Sequence, residues 1–223
     1  MTITPSGLLR AAGLSAAASG VLFALIQFIH PDETLANVDT TAWVGTHYLS
    51  ITMCALGMVG VTGLYLRQIK ETGVLGLVGY LMFAAFFAVT AGFQFIEAFA
   101  LPELAAEAPV GVTSFLAIPL GKDAGDLGAV TVLAPITGVL YLVGGTIFAV
   151  ALYRARIVAR WASLVLIGGA VVTLSVPVVP HSVARTFAFP VALAMVGFGL
   201  SLWREQRSAG VPVPAATLNL AVR

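Results

Sequence analysis

The sequence predicts an all-α polytopic membrane bundle of six transmembrane helices with both termini cytoplasmic, and three observations carry that expectation. Hydrophobic residues make up 59% of the chain and charged ones 9%, with a mean hydropathy of +1.01. Soluble domains are about 45–50% apolar and about 25% charged. Six apolar runs follow one another, each near the ~20 residues that a helix needs to cross the hydrocarbon. Runs such as "AVTVLAPITGVLYLVGGTIFAVALY" lack the strict alternation of a barrel strand, so in lipid the backbone must be satisfied within helices.

The first span, 8–29, begins at Arg10 and runs on in small and apolar residues. It is longer than the roughly 7–15-residue core of a signal peptide, and no A-x-A site follows it before "HPDETLANVD", so it is expected to stay as a span. The second, 44–66, is entered through Trp43 and holds Cys54, the only cysteine. A single cysteine excludes an intramolecular disulfide and a thiolate metal cage. The third, 74–100, runs into "FQFIEAFALPELAAEAP", residues 93–109. Residues 101–127 read as a long loop broken by Pro102, Pro109 and Pro119 around the apolar "VTSFLAIPLG", and loops of that length are often lids or binding elements. Spans at 128–153, 161–179 and 184–203 complete the set, and the 23 glycines scattered through them suit close helix packing. Residues 1–207 are thus one transmembrane domain, and 208–223, "SAGVPVPAATLNLAVR", a flexible cytoplasmic tail.

Orientation follows from the basic residues. Arg10, Arg67, Lys70, Arg154, Arg156, Arg160, Arg204, Arg207 and Arg223 fall on one side of the six spans, and only Lys122 and Arg185 on the other. The positive-inside rule makes the first side cytoplasmic. The acids show the reverse bias, with Glu71 and Glu205 alone on the basic side. A net charge of +1 offers no footprint for nucleic acid. The expected partners are the lipid bilayer and an apolar small molecule.

Chemistry-bearing residues gather at the acidic end. Gln94 and Glu97 lie three apart on one face of span three, as Gln27 and His30 do on span one. His47 with Tyr48, Asp126 with Asp123, and His181 with Arg185 fall at the same level. Ionisable groups within a span are costly and are read as functional by default, so Glu97 and His47, with Asp126, are the candidate catalytic residues. Phe93, Phe95, Tyr48, Trp43, Gln94, His181 and Arg185 are the candidate substrate-binding residues. A carboxyl group among phenylalanines is desolvated, which favours its proton-bearing form and suits a proton donor, and aromatic faces can stabilise a carbocation. Acids and histidines at helix ends, including His30, Asp32, Glu33, Asp39, Glu103 and Glu107, are expected to be solvated interface groups. Three dispersed histidines with no H-x-x-x-H or H-E-x-x-H pair make a poor metal cage, so no metal or other cofactor is expected. The three histidines with Glu97 or Asp126 would be the ligands in the alternative of a metal-dependent hydrolase.

At "WVGTHYLS", "GLYLRQ", "GVLGLVGYLMF", "FIEAFALPELAAEAP" and "LYRARIVARWASLVLIGGAVV" the chain resembles small bacterial, especially actinobacterial, six-span membrane proteins without an assigned activity. In size, span number and an aromatic vestibule bearing acids it also resembles, in outline only, the small membrane-bound terpene cyclases. No motif of theirs matches residue by residue, so no catalytic role carries over. The resemblance implies an intramembrane enzyme that cyclises an isoprenoid-like substrate through a carbocation. The alternative from a different class is a non-enzymatic carrier or membrane accessory or sensor protein.

Overall fold

A computed structural model of the chain describes residues 3–125, 127–176 and 179–208, and every regular element among them is helical. Helix α1, Pro5–Ile29, starts at a Thr4 cap whose Oγ1 accepts from the Gly7 amide at 3.1 Å, with proline at the first helical position. It stops at His30, which is extended before Pro31, because proline crowds the helical conformation of the residue before it. Helix α2, Thr41–Arg67, is capped by Thr40 Oγ1. Helix α3, Ile69–Leu104, is interrupted after one turn at Gly73, whose φ of 55° is cheap only for glycine, and again by a π turn at Ile96–Ala100.

Helix α4, Pro109–Ala117, lies in the segment expected to be a loop. Its Val112, Phe115 and Leu116 follow helical spacing and pack with Val38, Trp43 and Leu101 into a small core of their own. The described residues of 101–127 therefore form a folded cap over one end of the bundle. Helix α5, Gly128–Ala155, contains a second π turn at Leu140–Gly145. Helix α6, Arg160–Thr173, precedes the short helical turns His181–Ala184 and Arg185–Phe187, and helix α7 spans Ala188–Ser208.

Among the described residues five helices, α1, α2, α3, α5 and α7, are long and apolar enough to cross a membrane. Among the described residues of the run expected as the fifth span, 161–179, the regular helix is that of α6, Arg160–Thr173, whose 14 residues make about 21 Å against about 30 Å of hydrocarbon. The sequence that follows it, "LSVPVVP", carries two prolines, which lack the amide a helix needs. Of the tail expected to be flexible, 208–223, Ser208 ends helix α7 and the rest lies outside the described residues.

The helices close a ring in chain order: α1 on α2, α2 on α3, α3 on α5, α5 on α6, α6 on α7, and α7 back on α1. The α1 seams are backbone-close. A Cβ on Gly60 would lie 2.6 Å from that of Ala16, and one on Gly13 would lie 2.8 Å from the Gly199 carbonyl oxygen. Phe83, Phe87, Phe148, Phe198 and Leu64 fill the centre of the ring.

Cross-ring contacts place the ends. Gly13 meets Trp203, Arg67 pairs with Glu205 at 2.6 Å, and the Ala159 amide donates to Ser201 Oγ at 2.9 Å. Both described ends of the chain therefore share one end of the bundle with Arg10, Lys70, Arg154, Arg156 and Arg160. His30, His47, Glu97 and Arg185 sit at the other.

Candidate functional site

The Thr40 cap starts α2 so that Trp43 and His47, four residues apart, point to the same side. His47 is fully buried, and its Nδ1 lies 2.7 Å from the Trp43 carbonyl oxygen. A carbonyl only accepts, so Nδ1 carries a hydrogen and Nε2 is the face that changes protonation. That Nε2 is 3.3 Å from Glu97 Oε2 and off the hydrogen-bonding axis. Two states fit the pair: a proton-bearing Glu97 against neutral imidazole, or a carboxylate against imidazolium.

Glu97 is 3% exposed and lies on the π turn of α3. A π turn adds a residue to one helical turn and loosens the carbonyl ladder, a feature common at functional sites. Here Trp43 Nε1 donates to the Glu97 carbonyl at 2.9 Å, which ties the turn to α2. Gln94, one turn earlier, donates through Nε2 to Glu97 Oε2 at 2.8 Å.

The loop after α1 folds into the same site. His30 Nδ1 donates to the Pro31 carbonyl at 2.7 Å and lies 3.7 Å from Glu33 Oε1. Arg185 donates to the His30 carbonyl at 3.1 Å and so joins the α6–α7 connection to the loop. The His30 and His47 rings meet edge to face at 5.0 Å. Glu33 Oε2 is buried with no hydrogen-bond partner. Burial first, and then the nearby charge of Glu97, push the Glu33 carboxyl up to about 7 against the opposing pull of His47 and Arg185.

Three adjoining cavities open here. One of about 230 Å³ is lined by His30, Glu33, Thr90, Phe93, Gln94 and Glu97. A second, of about 200 Å³, shares His30, Glu33, Thr90 and Gln94 with it and adds Gln27, Ser50 and Arg185. The third, of about 420 Å³, shares Phe23, Gln27 and Arg185 with the second and is otherwise walled mainly by apolar groups, including Phe86, Phe187 and Val191, with Tyr141 and Thr173 beside them. A polar vestibule thus leads into an apolar chamber of ligand size.

Of the residues singled out from the sequence, Glu97, His47, Gln94, Trp43, Phe93 and Arg185 come together. Tyr48 and Phe95 do not. Both are exposed on the outside of the bundle, where each meets the Phe99 ring at a tilt, with centroids 5.2 and 4.5 Å apart. Asp126 lies outside the described residues, as does the side chain of His181, whose backbone opens the turn before α7. Sequence reasoning missed Glu33, Thr90 and Tyr141. The Glu33 signal was its place three residues after His30 and two after a proline, a spacing that a bent-back loop turns inward. Among the described residues no group of three or more His, Cys, Asp or Glu is placed to hold a metal ion. The arrangement can store and pass a proton beside an apolar chamber. No protein family, curated protein or solved structure matches the chain.

Proposed function

We propose that this integral membrane protein is an intramembrane enzyme that protonates an apolar, isoprenoid-like substrate and cyclises it. The observation that carries the reading is the buried Glu97–His47 pair, at 3.3 Å, whose carboxyl lines the 230 Å³ cavity that adjoins, through the 200 Å³ one, a 420 Å³ chamber with aromatic walls. In the reaction, Glu97 gives its proton to one carbon of an alkene, whose π electrons form the new C–H bond. A second double bond of the substrate captures the resulting cation and closes the ring. Loss of a proton from the product cation to a basic group ends the sequence, and no oxidant or reductant is needed. Gln94 orients the carboxyl and His47 sets its proton inventory, while Phe23, Phe86 and Phe187 present faces to the cation.

The membrane setting that goes with this reading has six crossings, the run 161–179 making the fifth, and cytoplasmic termini in the cell membrane. It is supported by the shared end of the two chain ends and by the basic residues collected there. The outline likeness to small membrane-bound terpene cyclases points the same way.

A second reading has its own observation. Glu97 and His47 are 3% and 0% exposed, and a buried pair that changes protonation also suits a proton-coupled carrier or sensor.

The deciding experiment measures product formation from prenylated aromatic substrates in membranes containing wild type or Glu97→Gln. Glutamine keeps the shape and the contact with Gln94 but has no transferable proton. Turnover falls about 10²–10⁴-fold if Glu97 is the acid, with thermal stability retained. Intact turnover in the variant refutes the assignment of the acid. A wild type that converts none of these substrates turns the reading to the carrier or sensor.

A further inference from the structure

The outer face of α7 carries a second, unrelated feature. At the basic end a cavity of about 270 Å³ opens between α6 and α7, lined by Ala159, Trp161, Gly197, Leu200, Ser201 and Arg204. Val196 lies in its wall and also in the wall of a second, almost wholly apolar groove of about 560 Å³. That groove runs on between α1, α6 and α7 past Leu193 to Phe189. From Arg204 to Phe189 the path covers 15 residues of helix, roughly 22 Å. One bilayer leaflet has about the same depth: about 15 Å of hydrocarbon and roughly 5–7 Å of headgroup.

We propose that this continuous groove binds one anionic phospholipid, with the headgroup in the Trp161–Arg204 cavity and an acyl chain along Leu193 and Val196. Charge complementarity selects the headgroup. Among the described residues, Arg10, Arg67, Lys70, Arg154, Arg156, Arg160, Arg204 and Arg207 share this end with only Glu71 and Glu205, and Glu205 is held by Arg67. Trp161 is 49% exposed and its indole rests against Gly197, as an aromatic anchor at headgroup level does. The apolar extension selects a lipid over a free anion, because a soluble phosphate has nothing to place along Val196, Leu193 and Phe189.

The test uses the purified full chain in nanodiscs of phosphatidylcholine alone or with phosphatidylglycerol, reading bound lipid by native mass spectrometry and stability by thermal unfolding. Wild type retains phosphatidylglycerol in preference to phosphatidylcholine. Arg204→Gln reduces that preference about fivefold, the amount expected for one surface arginine near an anionic headgroup, and Arg204→Lys keeps it. Val196→Trp, which fills the junction of cavity and groove, lowers retention of both lipids. Equal retention of the two lipids by wild type overturns the proposal, as does an undiminished preference in Arg204→Gln. Displacement of the bound lipid by glycerol phosphate at equal concentration also overturns it, because the site then binds an anion without using the groove.

Discussion

Replacing Glu33 by glutamine should remove a pH-dependent burden on the fold. The carboxyl sits in the loop between α1 and α2, is pushed from its ordinary 4.5 to about 7, and is faced by Glu97, His47, Arg185 and Asp32. In the unfolded chain the group releases its proton near 4.5, whereas in the folded chain it holds it to about 7. Between those values the folded state binds more protons, so stability falls as pH rises through that window. Below 4.5 the burden is absent, and above 7 it is complete. The displacement corresponds to at most about 3 kcal/mol. For a chain of this length that is about 6–12 °C in Tm. Glutamine cannot ionise, so Glu33→Gln should match wild type near pH 4.5 and exceed it by up to that amount at pH 8. The assay is thermal unfolding of both proteins in one detergent across pH 4.5 to 8, read as the difference between them. An offset that is the same at both ends of the range, or a wild type that gains on the variant as pH rises, refutes the reasoning.

Reporter fusions after Glu71 and after Arg160 should report cytoplasm and fusions near Asp39 and Lys122 the opposite compartment, since the basic residues share one end; a cytoplasmic signal at Lys122 excludes six crossings. Gly60→Val would drive two methyl groups into Ala16, whose Cβ lies 2.6 Å from the position of a Cβ at residue 60. Prising α1 from α2 costs about 1–3 kcal/mol, read as a lower Tm. Gly92→Ala, at a glycine with open space around it, should leave Tm nearly unchanged.

Much of the site was visible in the sequence because helix periodicity is local. Gln94 beside Glu97, and Trp43 one turn before His47, follow from spacing alone, and so does the shared level of α2 and α3. The inward turn of Glu33 was not visible. It depends on the bend at Pro31 and on Arg185 reaching the His30 carbonyl across 155 positions of sequence. Tyr48 and Phe95 fell on the outside because membership of one axial level does not fix rotation about the helix axis. That rotation is set by which faces hold glycine and alanine, and by the π turn that displaces Glu97 relative to its neighbours.

By itself the sequence determined the solvent this chain lives in and the positions of its long helices, since both rest on composition and on the ~20-residue length of an apolar run. It also determined the polarity of the two ends, since charges cannot be left in hydrocarbon. Only the tertiary structure decided that the described residues of 101–127 fold over the end of the bundle and that α6 stops after 14 residues. It also decided that α7 closes the ring on α1. These outcomes depend on contacts between segments distant in the chain, such as Trp43 with Phe115 and Leu101 in the cap. The pairing of His47 with Glu97 is of the same kind. Each residue carries an ordinary polar group on its own helix, and the acid–base pair exists because α2 and α3 pack closely enough to bury both.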